Sequence, residues 1–78
     1  MLRFASLRRF AKLRWSDSEE VAEQLFARNT SLDPLTIKFT DLHRMVCDLP
    51  DFIEPADKSS EGKLEKIQMA WLELYQDK

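Results

Sequence analysis

Apolar residues fall at helical spacing in three stretches of the chain. Val21, Ala22, Leu25 and Phe26 form an i, i+1, i+4, i+5 stripe. Asp17 stands before it with Glu20 three residues on, a capping-box spacing, and Ser16 with Glu19 repeats that pattern one residue earlier. The stripe predicts a helix running to about Arg28 and stopping in Asn29-Thr30-Ser31. Leu42, Met45, Val46 and Leu49 follow the i, i+3, i+4, i+7 rule, with Thr40 as the expected cap and Pro50 as the stop. Leu64, Ile67, Trp71 and Leu74 repeat at three, four and three, with Ala70 and Tyr75 beside them, after a start at Ser59 or Ser60. Between the first two stretches, Asp33-Pro34 suits a turn or one short helical turn, with Asp as cap and Pro first. Ile37 and Phe39 alternate about Lys38, which allows a short extended piece. Residues 50–60 form the longest loop. The expected fold is all-α, a small three-helix domain of helix-turn-helix type, with Trp15, Phe26, Phe39, Phe52 and Trp71 filling its core.

Composition narrows the classes. Seventy-eight residues allow one small domain with one modest core, and a deep-pocketed enzyme is not expected at that size. One Gly and three Pro argue against a turn-rich all-β design. No apolar run approaches the roughly 18 residues that span a bilayer. A single Cys excludes an internal disulfide framework and a multi-cysteine zinc site.

The net charge of −2 conceals two unlike segments. Residues 1–14 carry Arg3, Arg8, Arg9, Lys12 and Arg14 and no acid. The remainder holds seven basic residues against 14 acidic ones, a net of −7. The basic, acid-free stretch has the composition of a mitochondrial-type targeting segment and lacks the apolar run of a secretory signal. Wound as a helix, it sets Arg8, Arg9 and Lys12 against Leu2, Leu7, Phe10 and Leu13, an imperfect amphipathicity, since Arg3 and Arg14 fall on the apolar side. The chain is therefore divided into a targeting segment, 1–12, and a domain, 13–78. A mitochondrion or mitochondrion-derived organelle is the expected location, and the cytoplasm if the segment is no presequence. An acidic domain repels nucleic-acid phosphates and suits a basic protein surface or a hard cation. A monomer is the default expectation for so small and acidic a chain.

Polar chemistry concentrates on the second helix and the loop after it. At about 100° per residue, Asp41 and Asp48 fall on one flank with Arg44, while His43 and Cys47 share the other. Two soft ligands four apart do not make a metal site, and no third His or Cys exists. A half-buried Cys with a locally bonded His accounts for that pair. The carboxylates Asp41, Asp48, Asp51, Glu54 and Asp57 have the chemistry to hold a hard cation, without the Gly and ordered acids of a calcium loop. The other use of such a face is electrostatic docking on a basic partner. A DNA-reading helix would need a basic stripe, and this one presents Asp41, Asp48 and one Arg.

These residues also form a long composite pattern. W-S-D-S-E-E-V-A-E-Q-L at 15–25, L-D-P-L-T-I-K-F-T-D-L-H-R-M-V-C-D-L-P-D-F at 32–52, and K-I-Q-M-A-W-L in the last helix together resemble the IscX (YfhJ) family of iron–sulfur cluster assembly proteins. The resemblance spans Leu13 to Leu74. It implies a helix-turn-helix or winged-helix-like fold and a non-enzymatic regulator. Such a regulator docks on the cysteine desulfurase of the iron–sulfur machinery, competes with frataxin and binds Fe(II) weakly through surface carboxylates. Mapped onto this chain, the resemblance implies a partner-binding set of Asp17, Glu20, Asp41, Arg44, Asp48 and Asp51. The metal set it implies is Asp41, Asp48, Asp51 and Glu54. Two departures stand out: the acidic run expected after Asp51-Phe52 is thinned to Ile53-Glu54-Pro55-Ala56-Asp57, and a basic extension precedes Trp15. The extension gives the chain the look of an organelle-targeted member. The alternatives are a carboxylate iron donor or sensor acting apart from the desulfurase and, more remotely, a DNA-binding regulator.

Overall fold

The computed structural model describes residues 12–77. Apart from Lys12, the basic stretch assigned to targeting lies outside these residues. Three α-helices, α1 (Ser18–Arg28), α2 (Phe39–Cys47) and α3 (Glu61–Asp77), occur among the described residues, joined by 3-10 turns at Pro34–Thr36 and Ala56–Lys58. The expected all-α domain is what forms. Helix α3 is the spine: α1 packs along it, and α2 and the first 3-10 turn lean on it. The three predicted stripes meet in one core of Val21, Ala22, Leu25, Leu42, Val46, Leu49, Leu64, Ile67 and Trp71, joined by Leu13 and Trp15 from the entering chain. Of the five aromatics expected inside, Trp15 and Trp71 are fully buried, and Phe26, Phe39 and Phe52 pack half-buried against the core. At about 25 cal/mol per Å², each full burial removes a few kcal/mol of unfavourable apolar hydration.

The element ends follow local chemistry, with two corrections to the expected caps. Asp17 occupies the N-cap position of α1, but its side chain turns backwards: Oδ2 accepts from the Arg14 N–H at 3.0 Å and leaves the helix N–H groups alone. The capping box therefore does not form, because a tight turn at residues 14–17 captures the carboxylate first. Helix α2 starts one residue before Thr40, at Phe39, with Lys38 as its N-cap and no side-chain cap. There the Asp33-Pro34 turn and the extended Ile37 and Lys38 set the entry direction, so Phe39 can begin the helix and pack on the core. The remaining signals act as expected. Asp33 Oδ1 accepts from Leu35 N at 3.0 Å, Ser60 Oγ accepts from Lys63 N at 3.2 Å, and Asn29 ends α1. Gln68 Nε2 donates to Pro34 O at 3.0 Å, clamping the first 3-10 turn to α3.

The long loop is not free. Leu13 and Phe52 form an isolated parallel bridge, with Leu13 N–H donating to Asp51 O at 2.8 Å and Ile53 N–H donating to Leu13 O at 3.0 Å. This one pairing ties the start of the domain to the segment after α2.

Candidate functional site

The bridge positions an aromatic and polar clasp around Trp15. Its backbone N–H donates to Glu54 Oε1 at 2.6 Å, and its indole Nε1–H donates to Pro55 O at 3.0 Å. The indole stacks on the His43 imidazole, centroids 5.2 Å apart and planes at 26°, and meets Phe52 edge-on at 4.7 Å. His43 Nε2 lies 2.8 Å from Ala56 O. A carbonyl only accepts, so Nε2 carries the proton, and in the neutral ring Nδ1 is left as an acceptor. Cys47 Sγ sits 4.0 Å from that Nδ1. Burial raises the thiol's pKa above its ordinary value, and the Asp48 carboxylate raises it further. A thiol held protonated is a poor nucleophile and a poor metal ligand. His43 and Cys47 thus serve the clasp, in line with the local reading of that pair.

The carboxylates singled out in the sequence scatter over this frame. Asp41 Oδ1 pairs with Arg44 Nη2 at 2.7 Å, both side chains at least half exposed, so the predicted flank partners do meet. Asp48 ends α2 and is exposed, lining a shallow groove of about 300 Å³ with Arg28 and Asn29 of the α1 end and Leu25, Met45 and Leu49 beneath. Asp51 contributes its backbone carbonyl to the bridge. Asp17 is engaged by Arg14 N–H, and Glu20 lies half-buried on the first turn of α1. Among the described residues, no three His, Cys, Asp or Glu side chains come together as a metal cage. Glu54 is committed to Trp15 and Asp41 to Arg44. The metal set Asp41, Asp48, Asp51 and Glu54 therefore does not fit a preformed Fe(II) site, which needs several converging oxygens.

Sequence reasoning missed the clasp. The hydrogen bonds that Trp15 makes in it reach residues 39 and 40 positions away, and a single β-bridge leaves no hydropathy period. The usable signal was chemical: a Trp and a His that must both satisfy ring N–H groups if buried, and a Glu in a thinned loop. A second missed feature is a furrow between α1 and α3, where Glu19 and Glu23 face Glu65 and Glu73 over Met69, Ala70 and Leu74.

Fold and surface together define a small all-helical domain whose histidine and cysteine are structurally occupied and whose charged residues are mostly carboxylates. The sequence model of the family described as Iron-sulphur cluster assembly, the IscX/YfhJ family, matches residues 13–76. An uncharacterized protein of Pseudomonas aeruginosa is 43% identical over 61 residues, covering 78% of this chain and 92% of its own length. The chain belongs to the Iron-sulphur cluster assembly family, and its role lies in assembling iron–sulfur clusters. The match begins at Leu13, the residue that opens the bridge to Phe52.

Proposed function

We propose that this protein is a non-enzymatic adaptor that regulates iron–sulfur cluster assembly by docking, through its carboxylates, on the cysteine desulfurase of that machinery. The observation that carries the reading is the family match over the whole domain, combined with a −7 charge on residues 15–78. Asp17, Glu20, Asp41, Arg44, Asp48 and Asp51 are the proposed contact residues, and frataxin is the proposed competitor. Long-range attraction to a basic partner speeds association and fixes orientation. Fe(II) enters this proposal only as a weak ligand of surface carboxylates, because no cage is built in advance. The alternative, a carboxylate iron donor or sensor, asks more of the surface, since Asp41 and Glu54 must first leave their present partners. A mitochondrial location remains part of the proposal, on the composition of residues 1–14.

The test is calorimetric titration of the protein into the cysteine desulfurase of the same organism, with and without Fe(II), at two salt concentrations. Binding should weaken at least tenfold between about 50 mM and 500 mM salt, as screening shortens to a few Å. Reversing Asp41 and Asp48 to Lys should abolish it. No binding at low salt refutes the adaptor reading. An Fe(II) isotherm that survives those reversals refutes the carboxylate assignment.

A further inference from the structure

The furrow between α1 and α3 has an acidic rim and an apolar floor. Two hollows of about 470 and 220 Å³ adjoin through shared walls at Glu19, Ala70 and Glu73. Four carboxylates, Glu19, Glu23, Glu65 and Glu73, border it against one cation, Lys66. Among the described residues none of the four is in an ion pair. Met69 on the floor is 48% exposed, an apolar side chain left in water between like charges. On α3, Glu65, Met69 and Glu73 stand four apart, so the two carboxylates are about 12 Å apart along the helix axis. This is a surface that lacks a counterpart both in charge and in apolar contact.

The chain carries such a counterpart. Residues 1–11 hold Arg3, Arg8 and Arg9, the apolar Leu2, Phe4, Leu7 and Phe10, and no acid. They join the described structure at Lys12, six residues before Ser18, which lines the near end of the furrow. Eleven extended residues reach about 36 Å, more than the 35 Å longest dimension of the molecule. We propose that residues 2–10 of this same chain dock in the α1–α3 furrow. Their arginines then meet the four-carboxylate rim, and their apolar side chains cover Met69 and Ala70. Tethering supplies an effective concentration near the millimolar range, so even a weak contact is well populated. Docking neutralises most of the rim, and loss of the segment uncovers an acidic groove. The proposal is independent of desulfurase docking, which uses other carboxylates.

The experiment uses the full chain. In a Cys47→Ser background a nitroxide on Ser6→Cys should broaden the amides of Ser18–Glu23 and Glu65–Leu74 at least threefold more than those around Asp48, and 0.5 M NaCl should remove the difference. Broadening that is uniform, or centred elsewhere, overturns the proposal. Equal broadening of the furrow in an unlabelled-spin chain mixed with spin-labelled chain would assign the contact to a second copy and also overturn it. A variant that keeps Cys47, with Arg3, Arg8 and Arg9 changed to Gln, should shift the same amides at low salt. Unchanged furrow amides in that variant refute the docking without reliance on the label.

Discussion

Glu54 offers the sharpest test of how this fold uses its carboxylates. The sequence places it among metal ligands, whereas the structure sets its Oε1 2.6 Å from the Trp15 N–H, in a part-buried setting. A hydrogen bond to an ionised acceptor contributes about 1.5–3 kcal/mol, and a deserted, partly buried N–H costs about 1–3 kcal/mol. Glu54→Ala should therefore destabilise the domain by about 2 kcal/mol. Glu54→Gln keeps an acceptor of the same reach and should cost under about 1 kcal/mol. A domain this small has a total stability of roughly 4–9 kcal/mol, so the Ala variant removes a large share. Urea unfolding followed by tryptophan fluorescence reads the difference. With a slope near 1 kcal/mol/M, the midpoint should fall by about 2 M for Glu54→Ala and by less than 1 M for Glu54→Gln. Asp57→Ala, on the exposed 3-10 turn, is the control and should lie within about 0.5 kcal/mol of the parent. Equal midpoints for Glu54→Ala and the parent would refute the clasp argument and return Glu54 to the pool of free surface ligands.

Other outcomes follow from the same geometry. Deleting residues 1–11 should leave the helical circular dichroism nearly unchanged and lower the melting temperature by no more than about 6 °C, the stabilisation lost with the docked segment. Deleting through Trp15 removes the bridge and a fully buried indole, a loss of about 3–5 kcal/mol that should lower the melting point by more than 12 °C. Iodoacetamide should alkylate native Cys47 with a midpoint pH above that of the unfolded chain, since burial and Asp48 disfavour the thiolate. The sign for stability follows: the folded pKa exceeds the unfolded one, so the thiol's contribution is intact below the ordinary thiol range and is lost as pH rises through it. Asp41→Asn should change stability by less than about 0.5 kcal/mol in the same urea assay, because its pair with Arg44 is exposed on both sides.

The helices were legible because their information is local and periodic. Leu64, Ile67 and Trp71 declare the buried face of α3 through spacing alone, and Ser60 declares its start through one hydroxyl at the right distance. Asp33-Pro34 was legible for the same reason, as a self-contained turn. Caps proved less so. Asp17 had competing donors three residues away on either side, and the turn at Arg14 won. The clasp was not legible at all. Glu54 is set apart from the nearby Asp57 by the Leu13–Phe52 bridge, which brings Trp15 beside it, and that bridge joins segments far apart in the chain.

The same distinction bears on function. A reading from residue types assigns chemistry to His, Cys and every carboxylate alike. The fold sorts them by whether a partner already holds them. His43, Cys47 and Glu54 are bound into the clasp, and their service there is to fix the loop after α2 against the incoming chain. Beyond the clasp, charge without convergent geometry stays available, as at Asp48 on the α2 end and Asp57 on the second 3-10 turn. Dispersed charge cannot grip a small ion firmly, since a cation needs several oxygens around one point. It does suit a large, oppositely charged protein surface, where many weak attractions act together over about 8–10 Å. On the proposed adaptor reading, the main object of recognition is therefore an extended basic surface, with Fe(II) a secondary and weaker ligand.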